Sequence, residues 1–536
     1  MLTPNRQTKI SFYSELYNLI PADHKLRKVN EAADFSFIYG LVQDSYCKYY
    51  GRPANEPEIL FRLLFLQILY NLSDERVVQE AQINLAYKWF LGLTPEEAVP
   101  DASQLSRFRN HRLGASQVDD VLGTIVKQCI DKGLIKSKAL IVDSTHTLAN
   151  CQKQKPLQVL QDAAKKLYRT VVKRYPKLEK RLPRQPKLEK DQADAEKVML
   201  HYLAELGEKV ESLLPDHEGA VSEKLLVAKQ IVEDERLLAN KGILSAIDPE
   251  ARFGWKSSTR SFFGYKEHLA MTEEEIITAL EVTCGNEDDG KQLPKLLEQS
   301  LQVGLEVKEV LGDKAYSGKD NLADLKLKEI QAIIPLHPIV HNGGGKQEGF
   351  EYNKDADFVI CPFGEHSVRK AIQGSKKSGH SRSLVFYFDV EKCKVCPLRD
   401  GCYQTEAKTK TFSVRIVAEQ YQQHMNFEAS EFFKERSKRR CIIEHKNAEI
   451  KRYHGLVRAK YRGLFRMRIQ ALLTAFVVNV KRMVKLIEKN ASQPRIGRLA
   501  FFSFISRLAD FTKIRHFCRA LQSCFSFGRN VVKYLN

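Results

Sequence analysis

The stretch LIVDSTHTLAN, residues 140–150, passes from apolar to hydroxyl-bearing side chains through one carboxylate, Asp143. Together with the residues before it, 134–143 is typical of a buried strand. A carboxylate at the end of such a strand needs compensation, because an unpaired charge is costly to bury. For a single aspartate, a helix cap or a salt bridge is the ordinary explanation.

A second stretch repeats the pattern. EVKEVLGD, residues 306–313, is an apolar run that ends on Asp313. Two strands that each deliver a carboxylate to one sheet edge concentrate negative charge, which a divalent cation can offset. The pair therefore favours a metal site over two independent caps.

The surrounding pattern predicts the fold class. Further runs of strand type occupy 261–272, 276–285 and 331–338, and helical patterns occupy 289–304 and 319–329. This order predicts an α/β fold with a mixed sheet and crossover connections.

A third carboxylate can come from a helix beside the sheet. In SKRRCIIEHKNAEIKRYHG, residues 437–455, the offsets between Arg440, Glu444 and Lys451 place all three on one helical face. Alone, a glutamate in such basic surroundings is ordinarily half of a surface salt bridge. Beside two strand-end aspartates, it becomes a candidate metal ligand.

The charge composition indicates which class of binding partner to expect. The 536 residues include 85 Lys and Arg against 66 Asp and Glu, a formal net charge of +19. Such an excess favours a polyanion as partner, most simply nucleic acid, with acidic membrane surfaces as the weaker alternative. The first residues lack the apolar core of a signal peptide, and no run approaches the roughly 18 apolar residues of a membrane span. We expect a cytoplasmic protein with reduced or metal-bound cysteines.

The amino-terminal region has a helical pattern. Pro57 begins an apolar helix within 56–72, and Ser73 begins another. Ser103 can cap a third helix, which gives a helix–turn–helix arrangement with a basic last element. DNA binding and a merely solvated face both remain open for its basic side chains, which are Arg107, Arg109 and Arg112.

Two insertions and a basic carboxyl-terminal region complete the organisation. The charged stretch at about 155–240 contains PKLEK twice and predicts a solvated, proline-interrupted helical arm. Residues 434–468 hold thirteen Lys or Arg against three Glu, which favours DNA contact through side chains such as Arg458, Lys460 and Arg462. The predicted parts are a helical DNA-binding domain at 1–130, a sheet-containing domain at 134–490 with insertions at 155–240 and 340–428, and a basic tail at 491–536.

The second insertion carries a cysteine cluster. Its C-x2-C pair, with one more cysteine six residues on, has a spacing that tetrahedral Zn²⁺ accepts. Four reduced thiols are the alternative, and His366 could replace one ligand. The candidate ligands are Cys361, Cys393, Cys396 and Cys402.

These motifs, in this order, resemble bacterial insertion-sequence transposases of the DDE class, which have a ribonuclease-H-like catalytic core. The matching segments are VDST, GDKAYSG and the R-x3-E-x6-K run followed by HGLVRAKYRGLFRMRIQALLTAFVVNVKR. GRPANEPEILFRLLFLQILYNLSDERVVQE resembles their amino-terminal helical domain. In the related signature Y-x2-R-x3-E-x6-K, Ser437 stands where tyrosine is expected, which leaves the tyrosine's role unassigned.

The resemblance implies a function. DNA is nicked at the element ends, and the freed 3′ hydroxyl then attacks target DNA, with two Mg²⁺ ions (or Mn²⁺) held by Asp143, Asp313 and Glu444. Arg440 and Lys451 would contact DNA phosphates or terminal bases. The implied partners are terminal inverted repeats and target DNA, bound by a homodimer in a synaptic complex in the bacterial nucleoid. Similar cysteines in such transposases also support a structural Zn²⁺.

Alternatives stay open. A nuclease or resolvase on the same fold would cleave without strand transfer, and a zinc-containing DNA-binding regulator would do neither. Asp288 and Asp289 could supply an accessory acid, although a loop or capping role is favoured. His146 is expected to give local support, since metal-dependent phosphoryl transfer needs no histidine base.

Overall fold

The computed structural model describes residues 11–47, 51, 53–189, 192, 194–239, 242–256, 259–337, 349–353, 358–373, 383–404, 406–415 and 419–492. Residues 1–483 form one compact unit. Residues 484–536 form a second, of which 484–492 are described and helical. Beyond Ser492, the predicted basic tail lies outside the described residues. The domain limits expected from the sequence stay predictions.

Seven helices occupy the described part of the amino-terminal region. Pro57 begins the third and Ser73 caps the fourth through a 3.1 Å bond from Arg76 N, as predicted. Asp101, not Ser103, caps the sixth: its Oδ1 accepts from Ser103 N at 2.8 Å. The helices are α1 (Lys25–Ala32), α2 (Phe37–Val42), α3 (Pro57–Leu69), α4 (Asp74–Ile83), α5 (Leu85–Leu91), α6 (Ala102–His111) and α7 (Ala115–Asp131).

The central sheet has the mixed topology of a ribonuclease-H-like fold, which confirms the predicted fold class. Its order is β2-β3-β1-β5-β6, and β4 also pairs with β3. β3 is antiparallel to β1, β2 and β4, whereas β5 is parallel to both β1 and β6. The strands are β1 (Ala139–Leu148), β2 (Arg252–Trp255), β3 (Ser261–Thr272), β4 (Ile277–Cys284), β5 (Glu309–Leu311) and β6 (Gln331–Ile333).

Strand β1 does not end at Asp143, so that prediction was wrong. The residues after Asp143 continue the antiparallel ladder with β3 as far as Leu148, which pairs with Gly264. Threonines suit this extended backbone because their branched side chains are stiff. β5 and β6 are three residues each, shorter than predicted.

The remaining α-helices follow α7 along the chain. α11 and α12 follow β4 and β5, in the order that the sequence predicts, and α16 and α17 follow the second insertion. The helices are α8 (Pro156–Arg174), α9 (Ala195–Leu213), α10 (Ala220–Val232), α11 (Leu293–Gln302), α12 (Lys319–Leu327), α13 (Val390–Lys394), α14 (Glu419–Glu428), α15 (Glu431–Ser437), α16 (Cys441–His454) and α17 (Leu464–Ser492).

The first insertion is a three-helix bundle rather than a solvated arm. α8, α9 and α10 pack on one another around a shared apolar core that includes Leu167, Leu203 and Leu225. Each helix supplies apolar side chains at helical spacing, and burying that stripe favours packing over extension into solvent. The prediction of a solvated arm was therefore wrong, although the stretch is helical as expected.

The second insertion is a small β module. A three-stranded antiparallel sheet and a two-stranded hairpin enclose Val359, Phe386 and Phe388. Its strands are β7 (Glu351–Asn353), β8 (Phe358–Ile360), β9 (Arg369–Gln373), β10 (Ser383–Phe388) and β11 (Lys410–Arg415).

Helix α17 joins the amino-terminal helices to the sheet. Its Phe476 is 1% exposed and lies 5.8 Å from the ring of Phe35 and 5.2 Å from the ring of Phe61. On another face, Asn479 bonds both the backbone N–H and the C=O of Ile277 on β4, at 2.8 and 2.7 Å. No helix among the described residues is both long and apolar enough to cross a membrane.

Replacing Phe476 by alanine should test this junction. We expect the free energy of unfolding to fall by about 3–5 kcal/mol, because the change leaves a cavity inside an aromatic cluster. Urea denaturation measures the loss. Phe465→Ala on the same helix is the control: Phe465 is 39% exposed, so its removal should cost less than about 1 kcal/mol. Equal losses would contradict a central role for Phe476.

Candidate active site

A gap in the pairing of β1 creates the site. β3 follows one edge of β1 continuously, while β5 pairs with the other edge only from Ala139 to Ile141. Pairing on that second edge resumes at Leu148, whose N–H donates to Val457 O at 3.0 Å and whose C=O accepts from Ala459 N at 2.8 Å. Asp143 lies in the open stretch between these two partners.

The second acid lies at one end of the gap. Asp313 follows β5 by two residues and its Oδ1 accepts from Ala315 N at 2.9 Å, so it also caps a short turn of helix. Gly312 lets this turn pack directly against β1: a Cβ there would lie 3.0 Å from Val142 Cγ2. Asp313 therefore serves as a cap, and its role as a metal ligand stays a prediction.

Helix α16 brings the third acid. Glu444 is exposed and pairs with Arg440 at 2.8 Å, the surface salt bridge considered from the sequence. One turn further, Asn447 Nδ2 donates to Asp143 Oδ2 at 2.9 Å and ties the helix to β1. Sequence reasoning missed Asn447, although its spacing from Glu444 places it on the same helical face.

The three acids line a single cavity. It has a volume of about 550 Å³, and Asp143, Asp313 and Glu444 all contribute to its wall. Burial raises the pKa of Asp143 to about 6; Arg440 opposes that rise, and the charges of Asp313 and Glu444 add to it. Within the described residues, no three acidic, histidine or cysteine side chains stand in an arrangement that could hold a metal ion as they lie.

Basic and aromatic side chains share the cavity. Lys451 lines it, about two turns along the same face of α16 from Glu444, and burial lowers its pKa. His146 stacks on Phe262 at 4.7 Å, and burial, with Lys451 and Lys256 nearby, lowers its pKa to about 4. The imidazole is therefore neutral near pH 7, which suits a supporting role.

A fourth carboxylate also lies in the wall. Asp289 accepts from Ser144 Oγ and from Lys266 Nζ, each at 2.8 Å. Asp288, by contrast, accepts from Gly290 N at 3.0 Å within its own loop. Asp289 thus lines the cavity, while the loop role applies to Asp288; an accessory acid role for Asp289 stays a prediction. Lys266, the partner of Asp289, belongs to no motif in the sequence, and sequence reasoning did not identify it as part of the site.

The expected DNA-binding residues differ in their surroundings. Arg107, Arg458 and Arg462 are exposed. Arg109 is 4% exposed, forms an ion pair with Asp74 and lies 4.9 Å from the Tyr461 ring centroid. Its guanidinium therefore acts inside the fold, between α4 and α6.

The four cysteines of the second insertion lie together. Cys361, Cys393, Cys396 and Cys402 line one cavity of about 370 Å³, with His366 also in the wall. Burial raises the pKa of the Cys393 thiol, and the charges of the other three cysteines add to that rise. The spacing in the sequence thus corresponds to proximity in space.

Three segments match known protein families. Residues 14–111 match a model described as "Transposase domain (DUF772)", and residues 230–342 and 360–484 match two models described as "Transposase DDE domain". An uncharacterised protein of Rhizobium meliloti, ORF8 in the nfe locus, is 30% identical over 92 residues. Those residues are 17% of this chain and cover 44% of that protein's length.

Asp143→Asn should stabilise the protein in a metal-free buffer. Folding raises the pKa of this acid, so the ionised carboxylate destabilises the folded state. This destabilisation is absent below about pH 4 and complete above about pH 6. We expect the free energy of unfolding of the variant to exceed that of the wild type by roughly 1–3 kcal/mol at pH 7.5 and by about half of that at pH 5. Urea denaturation in the presence of a chelator measures the difference.

The exposed Asp120→Asn serves as the matched control for this experiment. It should change the free energy of unfolding by less than about 0.5 kcal/mol at either pH. A loss of stability in Asp143→Asn at pH 7.5 would show that the Asp143 charge is already compensated.

Proposed function

We propose that this chain, which belongs to the insertion-sequence transposases of the DDE class, cleaves and joins DNA strands at its acidic cavity with two divalent metal ions. The observation that carries the proposal is the convergence of three distant acids, Asp143, Asp313 and Glu444, on one cavity. That the chain is a transposase, and so a DNA-processing enzyme, follows from the family matches. The chemistry below is our inference.

The donor set suits Mg²⁺ or Mn²⁺. Carboxylate oxygens are the ligands that such hard cations prefer, and the raised pKa of Asp143 marks negative charge without full compensation. Asp143, Asp313 and Glu444 are the residues that would hold the ions. Bound there, two ions would activate the attacking oxygen and stabilise the leaving one.

The reaction then has two displacements at phosphorus. Water attacks at the element end, the bond from phosphorus to the 3′ oxygen breaks, and a 3′ hydroxyl and a 5′ phosphate result. The 3′ hydroxyl next attacks a target phosphodiester, whose own 3′ oxygen leaves as the new bond forms. The number of phosphodiester bonds is conserved in this second step, so it needs no energy-rich cofactor.

The protein's own groups position the DNA. Asn447 holds one oxygen of Asp143 and so fixes the carboxylate plane, while Lys451 presents a cation to the phosphate. Arg440, once released from Glu444, would contact a neighbouring phosphate or terminal base. Two element ends must be held at once, so we propose a homodimer as the working assembly.

Cleavage of the DNA that flanks the coding segment tests the proposal. Asp143→Asn, Asp313→Asn and Glu444→Gln should each lower Mg²⁺-dependent nicking at least about 1,000-fold, because each loses a metal ligand worth several kcal/mol of transition-state stabilisation. DNA affinity should stay within a few-fold of wild type. The exposed Glu435→Gln, on α15, is the control and should nick normally.

The same assay separates the alternatives. Joined products with a target plasmid would support a transposase over a nuclease or resolvase, which would stop at nicking. Persistent nicking by all three acid variants would refute the site, and binding without any nicking by the wild-type protein would favour a regulator.

We also propose a structural Zn²⁺ in the second insertion. Four thiols around one cavity form the donor set that tetrahedral zinc prefers, and the small apolar core of this module leaves it in need of a cross-link. The ion would be held by Cys361, Cys393, Cys396 and Cys402 and would take no part in the phosphoryl chemistry.

Metal analysis checks the zinc proposal. We expect about one zinc per chain in the purified protein, and Cys396→Ser should reduce it several-fold because three thiolates hold zinc less tightly than four. Mass spectrometry of metal content gives the number. Cys47→Ser, at an exposed cysteine far from the cluster in sequence, should retain the zinc. A wild-type protein free of zinc would favour four reduced thiols.

A further inference from the structure

A third cavity, which we call the basic cavity, lies between helix α6, the segment that leads from α16 into α17, and the start of α17. Its volume is about 340 Å³. α6 contributes Ser106 and Asn110, the segment contributes Lys460 and Arg462, and α17 contributes Arg466. None of these residues belongs to the acidic cavity.

The basic cavity has an excess of positive charge. Arg462 Nε donates to Asn150 O and Arg466 Nε donates to Asn110 Oδ1, each at 3.1 Å. Both acceptors are neutral, and neither arginine forms a direct ion pair with a carboxylate of the described residues, although the charge of Arg462 lowers the pKa of Asp248 against the effect of burial. No described residue of the lining is acidic. Burial lowers the pKa of Lys460; the charge of Asp74 opposes that shift, and the charge of Arg109 adds to it.

The lining favours a phosphate group over a nucleobase. Tyr461 is the one aromatic side chain among the described lining residues, and the Arg109 guanidinium already covers a face of its ring at 4.9 Å. What remains are guanidinium, ammonium, hydroxyl and amide donors, which match the acceptor oxygens of a phosphodiester. Such contacts position DNA without reading its sequence.

Strand β1 links the two cavities. Asp143 lies in the acidic cavity, and Asn150, just beyond the strand, donates from Nδ2 to Lys460 O at 3.1 Å beside the basic one. From Asp143 to Leu148 an extended strand spans about 17 Å. That length equals about five base-pair steps of B-form DNA, so one duplex could reach both cavities.

We propose that the basic cavity binds an internal backbone phosphate of the same DNA whose strand is cleaved at the acidic cavity. It would act as an anchor that sets how far the duplex advances along β1. This inference rests on the proposed function in taking DNA as the substrate. It does not depend on the metal-assisted chemistry.

A purely structural role is the rival explanation. The same cations could serve only to hold α6 against the segment after α16, as Arg109 does through Asp74. The two roles differ in one measurable property, because a phosphate contact releases counterions from DNA and an intramolecular contact does not.

The test measures DNA binding by the full-length protein without divalent metal, so that no cleavage occurs. The probe is a 40-base-pair duplex of arbitrary sequence, titrated at several KCl concentrations. Arg462→Gln with Arg466→Gln should weaken binding about 10- to 100-fold at 0.1 M salt and reduce the slope of log affinity against log salt by about 1.8. Lys165→Gln with Arg169→Gln, on the exposed face of α8, removes the same charge elsewhere.

Several outcomes decide the matter. Equal losses in the two double variants would overturn the proposal in favour of diffuse charge, and an unchanged slope would favour the structural role. Arg462→Lys with Arg466→Lys should recover most of the slope, which guards against misfolding in the glutamine variant. The effect should persist on a duplex with both ends closed by hairpins, and a loss confined to open, 5′-phosphorylated ends would overturn an internal site. A wild-type protein that binds no DNA would instead reject the proposed function itself.

Discussion

The interrupted edge of β1 is the constraint on which the site depends. One edge is paired along its length with β3, which holds the strand rigid. The other is paired with β5 before Asp143 and with residues 457–459 after it, and the stretch between them is open. A carboxylate in a free loop would be poorly fixed, whereas the pairing before and after Asp143 fixes its backbone. The gap leaves Asp143 both accessible and firmly placed.

The two segments that bound the gap also supply the other functional groups. β5 leads directly into the turn that carries Asp313, and α16, with Glu444, Asn447 and Lys451, leads into the segment that pairs with Leu148. The acids converge because the chain elements that close the ladder carry them. The cavity therefore has mixed charge: burial raises the pKa of Asp143, Arg440 opposes that rise, and the acids from both sides add to it.

The segment after α16 couples this site to the amino-terminal helices. His454 Nδ1 lies 3.0 Å from Ile68 O, Lys460 Nζ donates to Leu72 O at 3.3 Å, and Arg109 packs on Tyr461. Phe476 further along adds an aromatic contact with the same helices. A region with a helix–turn–helix pattern is thus fixed against the segment that pairs with β1 at Leu148.

Local patterns in the sequence were enough to predict the fold class, the strand limits of β3, the start of α3 and the cap of α4, because hydrophobic period and capping chemistry act over a few residues. Helical spacing also placed Glu444 and Lys451 on one face of a helix, and both line the acidic cavity. The sequence could not show that β1 continues past Asp143, since only pairing with the distant β3 keeps that polar stretch extended. It could not show that Arg109 faces Asp74, that Asp289 turns into the cavity or that the 155–240 helices share a core. These depend on contacts between residues far apart in the chain, which only the tertiary structure brings together.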